Sequence, residues 1–232
     1  MRSGGCKTHK ALREIGGRSL IERNLDTLCC SGLRHVWVAV STDEHELRFW
    51  VDTTGKAIAS RSGARLEVLV EALPLGTIGS ARCLADIAEN IVVVNVDNLT
   101  GLDLTKFVAF HIGMNAALSI ATHDELFRIP FGRVNTVGER VTEYHEKPNI
   151  PVTISSGTYV LHRRAMLMIP ESARTDIPVL VQTLLEANEI VASYRHDAWW
   201  VDVNDELALA RAEAVLELQQ SLSSVRRQPL AG

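Results

Sequence analysis

Residues 91–98 read Ile-Val-Val-Val-Asn-Val-Asp-Asn, a β-branched run that ends in an amide, a carboxylate and a second amide. A continuous apolar run predicts a strand that is buried on both faces, as strands inside parallel sheets are. Open α/β sheets bind ligands beyond the carboxyl ends of their strands. Asp97 would stand at that edge, where a carboxylate can hold a divalent cation against a phosphate. The alternative is that Asp97-Asn98 only caps a turn.

Strand and helix patterns alternate on both sides of this run. Ser19 and Glu22 have the spacing of a capping box, which predicts a helix that begins after Ser19 and ends at Gly32. Further helices are predicted at 41–52, 80–88, 104–111, 164–169, 176–188 and 206–222. Strands are predicted at 36–40, 66–70, 117–121, 154–161, 190–195 and 199–203, with a hairpin over 132–145. This alternation predicts an α/β fold with a doubly wound, mixed and mostly parallel sheet of Rossmann-like type.

Composition narrows the function classes. The chain has 232 residues, is 46% hydrophobic and carries a net charge of −4 with both signs interspersed. We expect a single domain over 1–222 followed by a loose tail over 223–232. Nothing indicates nucleic-acid binding, and no apolar stretch is long enough to span a membrane. The four cysteines lack metal-ligand spacing, so a reduced, cytoplasmic protein is expected.

Charged and glycine-rich positions outside the central run each have two interpretations. Asp202 also ends an apolar strand, so it is either a second Mg²⁺ ligand or the N-cap of the last helix. Glu146-Lys147 is either a sugar and phosphate site or an exposed ion pair. Gly4-Gly5 is either a phosphate-binding loop or a frayed terminus. Taken singly, each of these motifs is more often a helix cap, an exposed ion pair or a frayed terminus than a binding site.

Taken together, short segments along most of the chain resemble the sugar-1-phosphate nucleotidyltransferases, the NDP-sugar pyrophosphorylases. The short chain is most similar to the compact type that includes heptose-1-phosphate guanylyltransferases. The matching segments follow the order of that family and are Gly4-Gly5, Lys10-Ala11-Leu12, residues 15–21, residues 74–79, residues 94–97, Glu146-Lys147-Pro148, residues 156–160 and Trp200-Val201-Asp202.

The resemblance implies a GT-A-type fold and a mechanism. A phosphate oxygen of a sugar 1-phosphate attacks the α-phosphorus of a nucleoside triphosphate, and pyrophosphate leaves. In that scheme Asp97 and Asp202 bind Mg²⁺, Lys147 binds the sugar phosphate, and Lys10 adds positive charge nearby. Such chemistry depends on positioning and charge neutralisation.

The resemblance also assigns two groups of binding residues. Those expected to read the sugar are Glu146, Lys147, Ser156 and Gly157. Those expected to approach the nucleotide are Gly4, Gly5, Glu71, Gly76, Thr77 and Asp97. The sequence identifies neither the base of the nucleotide nor the sugar, and guanine is suggested by chain length alone. The sequence also leaves open whether the protein forms a homo-oligomer.

Three departures from the family pattern matter for function. Only Met1-Arg2-Ser3 precedes the glycine pair, where relatives have an apolar strand, and losing it should leave two neighbouring strands without a partner. The glycine loop is shortened, and Lys7 is a poor substitute for its arginine because it lacks the planar fork. Val96 replaces the usual glycine before the metal aspartate. A mis-assigned start codon would explain the first departure, the lack of an apolar strand ahead of the glycine pair. The alternatives to the enzyme are a weakened nucleotide-binding or sugar-nucleotide-binding relative and transfer to a non-sugar phosphorylated acceptor.

Overall fold

The computed structural model describes residues 9–204 and 206–226. Every predicted strand is present, but the strand predicted at 117–121 continues to Arg128 and the strand predicted at 154–161 already begins at Asn149. Short additional strands precede the first helix and follow Asp97. The strands are β1 (Glu14–Ile15), β2 (Arg18–Ser19), β3 (His35–Ser41), β4 (Arg65–Glu71), β5 (Asn90–Val94), β6 (Asn98–Thr100), β7 (Leu118–Arg128), β8 (Arg133–Val137), β9 (Arg140–His145), β10 (Asn149–His162), β11 (Val191–Arg195) and β12 (Trp200–Asp202).

Helices cover the strands and connect them. Ser19 caps the first helix as predicted, because its side-chain oxygen accepts a hydrogen bond from the Glu22 N–H. Two 3₁₀ turns, at Lys10–Leu12 and Gly79–Leu84, also position site residues. The α-helices are α1 (Leu20–Cys30), α2 (His45–Trp50), α3 (Lys56–Arg61), α4 (Leu104–Gly113), α5 (Arg163–Leu167), α6 (Ile177–Glu186) and α7 (Glu206–Arg226).

The principal sheet is mixed, and most of its strands share one direction. Its order is β11-β7-β10-β5. Strands β5 and β7 both run antiparallel to β10, and β11 runs parallel to β7, so β10 alone is reversed. Strands β3 and β4 form a separate parallel pair. The predicted doubly wound, mostly parallel α/β fold is confirmed.

Some helices differ from the prediction. The helix predicted at 80–88 is a short 3₁₀ helix over Gly79–Leu84. The helix expected after Ser41 and ending near Asp52 begins instead at His45, after a turn in which the Glu44 N–H donates to the Ser41 carbonyl oxygen at 3.1 Å. It then continues through a π-helical segment, Val51–Gly55, into α3. Its buried stripe, which begins with Leu47 and Val51, continues past residue 52 to Ala59. At the other end, α7 continues past Leu222 to Arg226, into the segment expected to be a loose tail.

Strands β3 and β5 line the same cavity but do not pair with each other in the described part of the chain. In the described part of the chain, β3 pairs only with β4, and β5 pairs only with β10. Two unpaired strand edges of this kind were the expectation drawn from the family pattern. The described residues contain no helix long and apolar enough to span a membrane.

A buried histidine at the base of β5 gives the fold a testable pH dependence. His111 is 1% exposed. Its Nδ1 lies 2.8 Å from the Ser119 hydroxyl and its Nε2 lies 3.2 Å from Asn90 Oδ1. Because Oδ1 can only accept, the proton resides on Nε2. Burial lowers the pKa of His111 to about 4 because the charged imidazolium is poorly solvated there.

We therefore expect the free energy of unfolding to fall as pH decreases from about 6.5 to about 4. The unfolded chain binds a proton on His111 throughout that window whereas the folded chain does not. The loss should be roughly 3 kcal/mol. Urea unfolding at several pH values measures it. The variant His111→Gln should lose stability overall yet show a flatter profile between those pH values, and an equally steep profile would contradict the assignment.

Candidate active site

Asp97 and Asp202 lie side by side at the carboxyl end of β5. The short ladder between β6 and β12 pairs Asn98 with Asp202. One residue further along, the Val203 N–H donates to the Asp97 carbonyl oxygen at 2.9 Å. The fold thus brings together two carboxylates that are far apart in sequence. Among the described residues no group of three or more histidine, cysteine and acidic side chains forms a metal cluster.

Lys10 and Asn204 link these two carboxylates. The Lys10 ammonium donates to Asp97 Oδ2 at 2.5 Å and to Asn204 Oδ1 at 3.1 Å. The Asn204 amide nitrogen in turn donates to Asp202 Oδ2. His9 Nδ1 holds the 3₁₀ turn that presents Lys10 by accepting the Ala11 N–H. The result is one chain of polar contacts, Asp97–Lys10–Asn204–Asp202, which includes three of the four predicted catalytic residues.

Val96, which stands where relatives have glycine, packs into the core. Its side chain is partly buried against an apolar cluster that includes Val36 and Val40. Its carbonyl oxygen accepts a hydrogen bond from the buried Asn24 amide of α1 at 2.9 Å. Asn24 therefore fixes the backbone directly before Asp97. An asparagine on the apolar face of a predicted helix was the signal that could have identified it.

Gly157 lies against the end of β5, where a larger residue would not fit. Its φ is +70°, and a Cβ on it would lie 1.6 Å from the Asn98 amide nitrogen and 3.2 Å from that of Asn95. Its carbonyl oxygen accepts the Asn95 N–H at 3.0 Å. The β10 register also shifts between Ser155 and Tyr159. Glycine therefore allows two amide side chains to converge beside Asp97.

The serines before Gly157 are engaged within the fold. The Ser156 hydroxyl, 1% exposed, donates to the Ala121 carbonyl at 3.0 Å, and the Ser156 carbonyl accepts from the Trp200 indole at 2.7 Å. The Ser155 hydroxyl donates to the Tyr159 oxygen at 3.1 Å. Burial raises the pKa of the Tyr159 phenol, and the charge of Asp97 adds to the effect. The hydroxyl of Ser156, predicted to read a sugar, thus points into the protein.

The loop after β4 is fastened to the start of α6. Gly76 has φ +80°, and a Cβ there would lie 2.7 Å from both Asp176 Oδ1 and the Thr175 carbonyl oxygen. The Thr77 N–H donates to Asp176 Oδ1 at 2.9 Å, and Thr77 Oγ1 accepts the Ile177 N–H at 3.1 Å. These contacts lower the pKa of Asp176, chiefly through the Thr77 N–H. The loop is therefore held in place before any ligand arrives.

Glu71 organises the same loop from its other end. Its carboxylate accepts the Leu75 N–H at 3.1 Å and also accepts the Ser80 hydroxyl. Glu71, Gly76, Thr77 and Asn95 all line a cavity of ≈ 580 Å³ that reaches the end of β5. Three members of the predicted nucleotide group, Glu71, Gly76 and Thr77, thus line one cavity, and Asp97 follows Val96, which also lines it. Gly4 and Gly5 lie outside the described residues.

The predicted hairpin is confirmed, because β8 pairs with β9. Glu146 and Lys147 directly follow its second strand. Their side chains are 60% and 51% exposed, and their charged atoms are 3.9 Å apart. Glu146 also accepts the Tyr144 hydroxyl at 2.9 Å. This pair makes no contact with the Asp97–Lys10–Asn204–Asp202 chain in the residues that are described.

Comparison with known proteins is consistent with this geometry. Residues 6–218 match the model of the family described as Nucleotidyl transferase. A protein of Sulfolobus acidocaldarius, named "Putative mannose-1-phosphate guanyltransferase", is 24% identical over 200 residues, which are 84% of this chain and 53% of that protein. The chain thus spans about half the length of this curated relative.

Solved structures share the fold. HddC from Yersinia pseudotuberculosis complexed with GMP-PN aligns with a TM-score of 0.68 and 18% identity, covering 93% of each chain. A "Putative Glucose-1-Phosphate Thymidylyltransferase" from Bacillus anthracis aligns with a TM-score of 0.67 and 17% identity, covering 89% of this chain and 85% of that one. The family match covers most of the sequence, including every described site residue discussed above. The chain belongs to the nucleotidyl transferase family.

Proposed function

We infer that this protein joins a nucleoside triphosphate and a sugar 1-phosphate to give an NDP-sugar and pyrophosphate, using Mg²⁺. The observation that carries the proposal is the contiguous chain Asp97–Lys10–Asn204–Asp202 at the carboxyl end of β5. In α/β sheets this edge is where ligands bind. Two carboxylates and an ammonium there suit phosphates that are held through a cation.

The donor set fits Mg²⁺. This ion prefers oxygen ligands and is usually bound through one or two carboxylates together with substrate phosphates and water. Asp97 and Asp202 offer carboxylates at neighbouring positions, and the side chain of Asp97 is 24% exposed, within reach of a hydrated ion. When bound, the cation would neutralise charge on the α-phosphate and on the leaving pyrophosphate.

The residues of the chain would act mainly by positioning. A sugar-phosphate oxygen forms a bond to the α-phosphorus while the bond to the pyrophosphate oxygen breaks, so no covalent enzyme intermediate is needed. Lys10 holds the Asp97 carboxylate in one orientation and adds positive charge at the reacting phosphates. Asn24 fixes the carbonyl of Val96 and thereby the backbone directly before Asp97.

For the substrates, we place the nucleotide at the opening lined by Glu71, Gly76 and Thr77, beside Asp97. The names of the similar proteins, a guanyltransferase and a structure with GMP-PN, favour GTP as the first triphosphate to try. The sugar would lie toward Gly157 and the Glu146-Lys147 pair. Since the Ser156 hydroxyl is engaged within the fold, we assign the sugar contact at this segment to the Gly157 backbone.

The Lys147 backbone supports a functional role for this residue. Its φ is +45°, in the left-handed region, although it is neither glycine nor asparagine and precedes Pro148. A residue before proline normally adopts an extended conformation, so this one costs of order 1–3 kcal/mol. Strain of this kind is concentrated at ligand sites.

Replacing Lys147 by alanine should raise the KM for the sugar 1-phosphate by roughly 10- to 100-fold, as expected when a charged hydrogen bond is lost. Steady-state pyrophosphate release at varied sugar phosphate measures the change. Lys106→Ala is the matched control, because Lys106 is an exposed lysine on α4. An unchanged sugar KM in Lys147→Ala would refute the assignment.

The proposed reaction is tested directly by pyrophosphate release. GTP, ATP, CTP, UTP and dTTP are each combined with mannose 1-phosphate, glucose 1-phosphate, a heptose 1-phosphate and phosphocholine, with and without Mg²⁺. Turnover with a sugar 1-phosphate that requires Mg²⁺ supports the proposal, whereas turnover with phosphocholine alone points to a non-sugar acceptor. If nothing turns over but a triphosphate still raises the melting temperature, the protein is a nucleotide-binding relative.

A further inference from the structure

Strand β10 bulges at the point where Gly157 approaches the end of β5. Its ladder to β7 changes register between Ser155 and Tyr159, so that residues 156–158 stand opposite Ala121 alone. A bulge of this kind leaves backbone groups without their ladder partners, and buried backbone groups are then paired in another way. The partners of these groups therefore decide where the bulge lies.

Three segments of the chain meet at Ser156, the first residue of the bulge. Its hydroxyl donates to the Ala121 carbonyl oxygen of β7 at 3.0 Å, and its own carbonyl oxygen accepts the Trp200 indole N–H of β12 at 2.7 Å. The same hydroxyl oxygen lies 3.2 Å from Nε2 of His196, which is 8% exposed. Because the only hydroxyl proton is used on the Ala121 carbonyl, His196 must donate through Nε2.

The position of His196, directly after β11, is itself fixed by the end of β7. Its backbone N–H donates to the Thr122 carbonyl oxygen at 2.9 Å, which extends the pairing of β11 with β7. The ring of His123 lies beside it, with centroids 6.0 Å apart, and also packs against the Trp200 ring at 4.5 Å. The donor that holds Ser156 therefore has little freedom to move.

We propose that His196 is a positioning residue for the sugar, because it holds the Ser156–Gly157 backbone in the place where the sugar would lie. This inference rests on the proposed function, which assigns the sugar contact of this segment to the Gly157 backbone. On its other side the segment is fixed by the Asn95 N–H, which donates to the Gly157 carbonyl oxygen at 3.0 Å. His196 thus acts from behind on a segment whose front borders Asp97.

The expected consequence is selective for the sugar. At the nucleotide opening, Glu71 accepts hydrogen bonds within its own loop, and Thr77 is bonded to the start of α6. Loss of the His196 N–H should therefore weaken contacts to the sugar and leave those to the nucleotide intact. A general loss of stability would instead weaken both, so the two explanations can be separated.

Binding of nucleoside diphosphate sugars, measured by isothermal titration calorimetry with Mg²⁺, tests the proposal without turnover. GDP-mannose is compared with GDP, UDP-glucose with UDP and dTDP-glucose with dTDP, and the pair with the largest preference for the sugar nucleotide in the parent protein is used. His196→Leu should reduce that preference about fivefold to tenfold, as the loss of one hydrogen bond does, and should change binding of the diphosphate alone by less than about twofold. His196→Gln retains an N–H donor and should keep most of the preference.

A second variant and a control complete the design. Ser156→Ala removes the acceptor of the same hydrogen bond and should lower the preference as His196→Leu does, which keeps the test decisive if the leucine variant does not fold. The control is His162→Leu, the same change at the end of β10 that pairs with Asn90 at the start of β5. His162 accepts the Arg164 N–H at 3.1 Å and so caps α5. Its loss should lower the melting temperature and leave the sugar preference unchanged.

An unchanged preference in His196→Leu and Ser156→Ala would overturn the proposal. Equal losses in His196→Leu and His196→Gln would also overturn it, because the donated N–H would not be the cause. Equal weakening of the diphosphate and the diphosphate sugar would give His196 a purely structural role. If the parent protein binds no diphosphate sugar more tightly than the matching diphosphate, the sugar site itself is refuted, and the proposed function fails together with this inference.

Discussion

The variant Asp97→Asn should release pyrophosphate about a thousandfold more slowly than the parent protein while keeping its fold. An amide is a weaker Mg²⁺ ligand than a carboxylate, and charge stabilisation at the transferred phosphate is worth about 10²–10³ in rate per group removed. The fold should survive because Asp97 meets Val203 through its backbone carbonyl, which the substitution retains. Steady-state pyrophosphate release together with a thermal melt measures both.

The control for this variant is Asp43→Asn, which makes the same chemical change in an exposed turn. It should retain full activity. Asp202→Asn should resemble Asp97→Asn, and both should need more Mg²⁺ for whatever activity remains. Near-normal pyrophosphate release from Asp97→Asn at low Mg²⁺ would contradict the assignment of this residue as a metal ligand.

Gly157→Ala should have the second-largest effect, on both activity and stability. The new Cβ would lie 1.6 Å from the Asn98 amide nitrogen, so the buried Asn98 side chain must leave its position beside Asp97. The alanine would also have to adopt φ +70°, which costs an L-residue about 1–2 kcal/mol. We expect a loss of about 2–4 kcal/mol in the free energy of unfolding and about a hundredfold loss of turnover.

Two further variants separate the contact from the backbone strain. Gly138→Ala has a similar φ, +59°, but its Cβ would meet no atom within 4 Å, so it should lose only about 1 kcal/mol and no activity. In Asn98→Ala the amide that collides with the new Cβ is gone. Adding Gly157→Ala to that background should therefore destabilise less than it does in the parent. Equal destabilisation in both backgrounds would show that the Asn98 contact is not the cause.

Local sequence was enough to predict most elements. The β-branched runs at 36–40, 66–70 and 91–94 became β3, β4 and β5, because a strand of this kind is specified by its own side chains. The Ser19 cap is likewise a contact between near neighbours. The helix expected to end near Asp52 continued to Arg61 because its buried stripe packs on distant strands, and a local pattern does not reveal such packing.

The site residues likewise divide into those that the sequence predicts and those that only the structure reveals. Sequence alone identified Asp97 and Asp202 as strand-end carboxylates, and the resemblance added Lys10. It did not identify Asn204, which bridges Lys10 and Asp202, or Asn24, which holds the backbone before Asp97. These asparagines acquire their roles through partners far away in the chain. The position of Asn24 on the apolar face of a predicted helix signals burial, but it does not reveal which group the side chain contacts.

The sequence by itself determined that a buried strand would end in Asp97 and that alternating strands and helices would surround it, since periodicity and strand composition are local properties. Only the tertiary structure decided that Asp202 and Lys10 would meet Asp97, that the Ser156 hydroxyl would point inward, and that a cavity would lie beside β5. Each of these depends on contacts between segments distant in the chain, and the register that creates them is set by packing of the whole fold.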